Sequence, residues 1–564
     1  MKSIPLVRLA GVIAGVLGMS DLAGRAAEAP AKAGADSPPE VARHMEEWRA
    51  AKFGMFIHWG PVSIKGTEIG WSRGAQVPVE EYDALYKKFN PTAFNADEWM
   101  RVAKDAGMKY AVFTTKHHDG FCMWDTRQTD FNIMRSPFGR DVVKELSVAA
   151  RKTGVAFGTY HSVTDWHHPD FPLTSPGGSV RRPVSNLDRY DQYLRAQVSE
   201  LVLNYGPLWV MWFDVPQEFD ARRGQALIDS ARKLQPNLIV NNRSGAPGDY
   251  DTPEQEVGKY QADRPWETCM TICQQWAWKP DDRMKSLEEC LHTLVRCVGG
   301  DGNLLFNVGP MPDGRIEPRQ VDRLREMGAW LAKNGESIYG TRGGPWKPGK
   351  AIASTRRDNV IYLHVLRWAD ETVRLPAFPQ RIVGSSVLTG GSAKVSRDGD
   401  DWVVTVPIAD RKSIDTVVKL ELDGSALAIP AMRADRGPGV KASASNVYQG
   451  HDEFSAESVF DGDRQSRWAT DSGTRKAWVA GDFGTARTFD RVRIDEAYSG
   501  RVKKFELRGR DGGEWKTLVS GTELGEHFTA SFPAAKVREV QLDILDATEG
   551  PSIWEIEMHE VGKP

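Results

Sequence analysis

The sequence predicts an α/β fold, a (β/α)8-like barrel, followed by an all-β sandwich and a second all-β jelly-roll module. Three observations carry that expectation. From about residue 50 to 335, short apolar runs alternate with helical patterns, as in a parallel sheet wrapped by helices. The run Leu208-Trp-Val-Met-Trp-Phe-Asp214 stays apolar until one carboxylate ends it, the pattern of a strand buried on both faces. After Gly343-Gly-Pro-Trp346 the pattern changes to short alternating runs between Gly and Asp turns, which reads as antiparallel β structure.

Taken in chain order, Lys2 and Arg8 precede the apolar stretch 9–19, and small residues follow up to Ala29. That is the pattern of an export signal over residues 1–29, with 30–39 as a disordered leader. The apolar stretch is too short to span a bilayer, so the protein is expected to be exported, periplasmic or extracellular, with no membrane span. Strands are expected at 53–59, 110–118, 156–162, 208–214, 238–243, 267–272 and 303–308. Helical patterns at 96–106, 141–153, 187–204, 221–234 and 284–298 lie between several of them. Seven or eight such units fit a barrel better than an open sheet, which assigns residues 40–343 to it. Residues 344–425 read as the sandwich, 426–438 as a linker and 439–564 as the second β unit.

Composition narrows the function. A net charge of −3 over 564 residues gives no electrostatic case for nucleic acid. Nineteen Trp suit a protein that stacks on the apolar faces of sugars. Five Cys, an odd number, do not form a secreted disulfide framework, and Cys269 and Cys273 have no second pair for zinc, so buried thiols are expected.

One rim of a barrel collects the residues that end its strands. Here these are His58 and Trp59, His117 and His118, Tyr160 and His161, Trp212 and Asp214, Asn242 and Arg243, with carboxylates beyond the fifth strand. Such a rim, without phosphate-binding glycines, suits a neutral polyol. Glycoside hydrolysis needs one ionised carboxylate and one protonated acid around the anomeric carbon. Asp214 is the choice for the first, and the second is expected among Glu254, Glu256 and Glu267. Glu254 lies in the turn sequence Tyr250-Asp-Thr-Pro-Glu254, whereas Glu267 opens a strand of its own. Six His between residues 58 and 168 raise the question of a catalytic metal, but their spacings at the strand ends are not those of ligand pairs, so no catalytic cofactor is expected. Neighbouring strand residues face opposite ways, so His117 and His118 meet at one site only if the strand has already ended.

Five ordered motifs carry a family resemblance: Phe53-Gly-Met-Phe-Ile-His-Trp-Gly-Pro61, Lys116-His-His-Asp-Gly-Phe121, the Trp-Phe-Asp214 strand, Trp266-Glu-Thr-Cys-Met-Thr, and Gly302-Asn-Leu-Leu-Phe-Asn-Val-Gly-Pro310. Together they resemble the α-L-fucosidases of glycoside hydrolase family 29. The resemblance implies retaining, exo-acting hydrolysis of terminal α-L-fucose from fucosylated oligosaccharides or glycoconjugates, with Asp214 as nucleophile. It implies Glu254 as acid/base, with Glu267 as second choice, and a fucose pocket of His58, Trp59, His117, His118, Tyr160, His161, Trp212 and Trp276. The segment Gly66-Thr-Glu-Ile-Gly-Trp-Ser72 departs from the Glu-Trp-Tyr found in many members. Ala442–Ser445, Val459–Asp463, Arg467–Thr470, Trp478–Phe483 and Ile553–Glu557 resemble a coagulation factor V/VIII type C (discoidin) module of the carbohydrate-binding family 32 kind. That resemblance implies a structural Ca²⁺ held by Asp461, Asp463 and Glu555. Two other readings compete: a catalytically silent, lectin-like protein on the same scaffold, and a retaining glycosidase of relaxed sugar choice.

Overall fold

The computed structural model describes residues 39–175, 180–257, 259–434, 440–450, 454–462 and 466–562. The expected export signal therefore lies outside the described residues. Among these, no helix is long and apolar enough to cross a membrane.

The first part is built from strands β1 (Phe53–Ile57), β2 (Tyr110–Lys116), β3 (Ala156–Ser162), β4 (Val210–Asp214), β5 (Ile239–Val240), β6 (Glu267–Thr271) and β7 (Asn303–Val308). All pair in parallel in the order β5-β4-β3-β2-β1-β7-β6. Helices α1 (Pro39–Ala51), α2 (Val79–Ala84), α3 (Ala96–Asp105), α4 (Val142–Thr153), α5 (Leu187–Tyr205), α6 (Ala221–Arg232), α7 (Leu287–Gly299) and α8 (Pro318–Asn334) accompany them. Asn95, Asp141, Asn186, Asp220 and Ser286 start five of the helices by accepting a backbone N–H of the first turn.

Period-two alternation sorts the strand residues. Phe56, Val112, Tyr160, Val210, Trp212, Ile239 and Leu305 point into the barrel. Met55, Ala111, Phe157, Met211, Val240, Leu304 and Phe306 point out into the layer under the helices. Both faces are apolar, which explains why the strands read as continuous hydrophobic runs. Trp48 of α1 joins the inner cluster, its ring 4.5 Å from Tyr250.

The sheet has seven regular strands, and the gap between its edges is closed by residues 250–254. Tyr250 bridges Asn241 beyond β5, while Asp251 and Glu254 bridge Trp266 and Cys269 on the β6 side, all in parallel sense. Pro253 lacks an N–H for a ladder, and Gln255 takes φ 58°, so the eighth position is filled by an irregular segment.

Beyond α8, a five-stranded and a three-stranded antiparallel sheet enclose a core that includes Trp346, Leu363, Phe378, Trp402 and Leu420. Met432–Arg433, within the stretch expected as a linker, pairs in parallel with Trp346–Lys347 and so is tied to this unit. The last unit centres on two long antiparallel strands, Ala477–Glu496 and Phe528–Ala547, with its own core around Trp468, Phe505 and Leu542. All five cysteines are buried free thiols, as the sequence led us to expect.

Close packing inside the barrel is testable at Gly54 on β1. A Cβ there would lie 2.4 Å from the Tyr110 ring. Gly54→Ala is expected to destabilise the protein by ~1–3 kcal/mol, read as a lower urea midpoint at unchanged slope. An unchanged midpoint would mean that Tyr110 yields freely.

Candidate active site

Asp214 ends β4 in phase with Trp212 and Val210, so its carboxylate projects into the barrel mouth with the side chain 13 % exposed. Three groups face it. Tyr160 Oη donates to Oδ2 at 2.9 Å, Arg243 Nη1 donates to Oδ1 at 3.1 Å, and His118 Nε2 lies 3.7 Å from Oδ2. Burial alone would raise this carboxyl, but Arg243, His118 and the two hydrogen bonds hold it below the ordinary Asp value. The next residue, Val215, takes φ 46°, a strained position for a β-branched side chain at the point where the chain leaves the strand.

Arg243 is itself fixed by the closing segment. Its Nε donates to Thr252 Oγ1 at 2.8 Å and its Nη2 to the Thr252 carbonyl at 2.7 Å. The same Nη1 that reaches Asp214 also donates to Glu254 Oε2, at 3.0 Å. One nitrogen therefore bridges two carboxylates, and their bonded oxygens are at most about 6 Å apart. Glu254 is the outer member of the pair, its side chain 42 % exposed.

The histidines are neutral acceptors. His58 Nδ1 lies 2.7 Å from Asn307 Oδ1, and Asn307 Nδ2 donates to the Trp276 carbonyl, so the His58 proton sits on Nδ1. Ser162 Oγ donates to the Thr164 carbonyl, so His118 Nδ1, 2.7 Å away, is the donor in that pair. Both rings thus keep an unprotonated Nε2, which suits them to accept from hydroxyl groups. Burial holds His58 down at about 3 and His118 at about 4, and depresses His117 as well. His117 stacks parallel on Tyr160 at 5.4 Å and lies 4.0 Å from the His118 ring, centroid to centroid. Both histidines belong to the site because β2 ends at Lys116 and the chain then turns, Gly120 N donating to the His117 carbonyl.

Trp212 floors the site, one layer below Asp214, stacked on Tyr160 at 5.5 Å and lying 5.0 Å beneath the Arg243 guanidinium. Half-buried Trp276 forms a wall, 4.9 Å from the His58 ring. Its loop is clamped by Glu68, whose carboxylate accepts the N–H groups of Trp276, Ala277 and Ile69 at 2.9, 3.0 and 3.0 Å. Trp71, from the same segment as Glu68, meets His118 edge-on at 5.4 Å.

Three expected site residues lie elsewhere. Trp59 is out of phase with His58 and packs against Phe89, Phe94 and Trp99 under the helices. His161 is out of phase with Tyr160 and faces the same outer layer, against Thr115 and Trp124. Glu267 is the first residue of β6, at the opposite end of the barrel from Asp214, and Trp212 Nε1 donates to it at 3.3 Å from above. Glu256 is exposed. Sequence reasoning placed Arg243 on the rim without a role and missed Ser162, Asn307, Glu68 and Trp71. Strand phase would have found two of them: Ser162 follows Tyr160 inward, and Asn307 follows Leu305.

Of the three acids expected to hold calcium, two lie in the described residues. Asp461 accepts from Arg433 and, at 2.6 Å, from Ser466, while Glu555 is buried on its strand. Asp463 lies outside the described residues, and among those described no group of three or more His, Cys, Asp or Glu gathers around a common point.

Residues 22–336 match the family described as Alpha-L-fucosidase, and residues 440–558 match the F5/8 type C domain. The chain is 31 % identical over 388 residues to human plasma alpha-L-fucosidase, covering 61 % of this chain and 81 % of that protein. Alpha-L-fucosidase isoenzyme 1 from Paenibacillus thiaminolyticus superposes with a TM-score of 0.64 at 32 % identity, over 68 % of this chain and all (100 %) of that one. A Bacteroides thetaiotaomicron GH29 alpha-L-fucosidase, solved as a trapped covalent intermediate, gives 0.63 at 26 % identity over 70 % of this chain and 100 % of that one. A Vibrio alpha-L-fucosidase shares the fold at 24 % identity, with a TM-score of 0.67 over 91 % of this chain and 97 % of that one.

The buried histidines predict acid sensitivity. In the unfolded chain they titrate near 6.5, whereas in the fold His58 and His118 titrate at about 3 and about 4. The unfolded state therefore binds more protons below pH 6.5, and stability falls from there towards pH 4 by roughly 1 kcal/mol per pH unit for each histidine. Urea midpoints at pH 7.5, 6 and 5 should decline, and less steeply in a His58→Asn/His118→Asn variant. Equal slopes would remove these histidines as the cause.

Proposed function

Because the chain belongs to the Alpha-L-fucosidase family of glycoside hydrolases, we propose that it is a retaining, exo-acting enzyme that removes terminal α-L-fucose from fucosylated glycans. The observation that carries this reading is the pair of carboxylates bridged by one nitrogen of Arg243. Retaining glycosidases hold their two carboxyl groups ~5–5.5 Å apart and inverting ones ~6.5–9.5 Å. Two carboxylates that share one donor nitrogen form a close pair, as the first class requires.

Asp214, kept ionised by Arg243 and Tyr160, attacks the anomeric carbon and forms a covalent fucosyl-enzyme. Glu254 gives its proton to the departing glycan oxygen and then takes one from the water that releases fucose. The bare Nε2 atoms of His58 and His118 accept sugar hydroxyls, and Trp276 offers a ring to the apolar face of the sugar. Export is supported by the N-terminal pattern of charge, apolar run and small residues. The discoidin-like module is assigned to glycan binding.

Release from an aryl α-L-fucoside tests the assignment. Asp214→Ala should lose more than about 10⁴-fold in kcat, and azide should restore turnover as β-fucosyl azide. Glu254→Ala should lose about 10²–10⁴-fold, least with the best leaving group, and yield α-fucosyl azide. Native-like turnover by Asp214→Ala would sink the reading.

A further inference from the structure

Glu267 is a buried carboxyl that the proposed chemistry leaves unused. It is 1 % exposed, and both of its oxygens are engaged: Tyr110 Oη donates to Oε2, and Trp212 Nε1 donates to Oε1 at 3.3 Å. Tyr250 of the closing segment lies alongside. Trp212 has a single polar atom, and Glu267 takes it. The rest of that ring is held by contacts of weak directionality, with Phe56 at 5.3 Å and Tyr160 at 5.5 Å.

The same ring supports both donors of Asp214. Tyr160 stacks on it at an interplanar angle of 21°, and the Arg243 guanidinium rests 5.0 Å above it. A tilt or slide of the indole would move the two groups that fix the orientation and charge of the nucleophile. We propose that Glu267 is a positioning residue: by accepting the Trp212 indole N–H it fixes the ring on which Tyr160 and Arg243 are held at donor distance from Asp214. The inference rests on the fucosidase reading for its kinetic consequence. Burial pushes the Glu267 carboxyl up to about 8, and glutamine, which keeps an acceptor oxygen for the indole, is its closest replacement.

The test compares Glu267→Gln, Glu267→Leu, Trp212→Phe and the Glu267→Leu/Trp212→Phe double variant on aryl α-L-fucosides of good and poor leaving groups. Glu267→Gln, which keeps an acceptor for the indole, should stay within about tenfold of wild type. Glu267→Leu and Trp212→Phe should each lose about 10²-fold in kcat at little-changed KM, alike for every leaving group and without rescue by azide. The double variant should be no worse than the worse single variant. Full activity in Glu267→Leu, or multiplying losses in the double variant, would overturn the proposal. So would azide rescue or a leaving-group-dependent loss, either of which would make Glu267 the acid/base. If Glu267→Leu does not fold, Trp212→Phe, which keeps a ring and removes the N–H, carries the comparison. A wild type that releases no fucose defeats the fucosidase reading instead, and the positioning contact is then judged by near-UV circular dichroism. There Trp212→Phe identifies the bands of that indole; Glu267→Leu should shift or weaken those same bands and Glu267→Gln leave them almost unchanged, and a Glu267→Leu spectrum in which they are unaltered would reject the contact.

Discussion

A carboxylate at the end of a fully apolar strand must be compensated, and the Arg243 guanidinium does this for Asp214. That one interaction couples electrostatics to barrel closure. Arg243 follows the short β5 and is held by the side chain and carbonyl of Thr252, so the cation exists at the right place only if residues 250–254 fill the gap in the sheet. Those residues in turn bring Glu254 to the same cation. Closure of the barrel, ionisation of Asp214 and proximity of the two carboxylates are therefore one arrangement seen from three sides.

The neutral histidines follow from the same economy of charge. With one guanidinium already committed beside Asp214, a buried imidazolium would add a further desolvated charge, and burial keeps His58, His117 and His118 unprotonated. Asn307 and Ser162 then decide which nitrogen carries the proton. The rim presents hydrogen-bond acceptors of defined direction around the Asp214 carboxylate, which is a surface for hydroxyl groups.

Much of this was legible in the sequence. Each of the seven expected barrel strands appears, most of them as short apolar runs alternating with helical patterns, although β3 and β6 carry several polar residues. Two of the errors share one physical origin. Choosing His58 with Trp59, and Tyr160 with His161, ignored the two-residue period that sends Trp59 and His161 outward. Glu267 fails for a different reason: it faces inward but opens β6, four residues before its end, so it lies deep in the barrel, where a carboxyl at a strand start cannot meet one at a strand end. His117 and His118 escape the period because β2 has finished at Lys116. Glu68 was not legible at all, since its carboxylate serves backbone N–H groups about two hundred residues away and leaves no local pattern.

The two carboxylates sit on unlike supports, and the proposed reaction asks for that difference. A nucleophile must stay ionised and aimed, and Asp214 is on a regular strand, nearly buried, with its orientation fixed from two sides. An acid/base must lose and regain a proton within each turnover and admit water for the second step. Glu254 lies on the one stretch of the barrel wall that could not become a regular strand, with Pro253 before it and the positive φ of Gln255 after it. Its side chain is 42 % exposed, against 13 % for Asp214. The sequence that denies the barrel an eighth ladder thus leaves the second carboxylate at the edge of the solvent, tied to the first through a single nitrogen of Arg243.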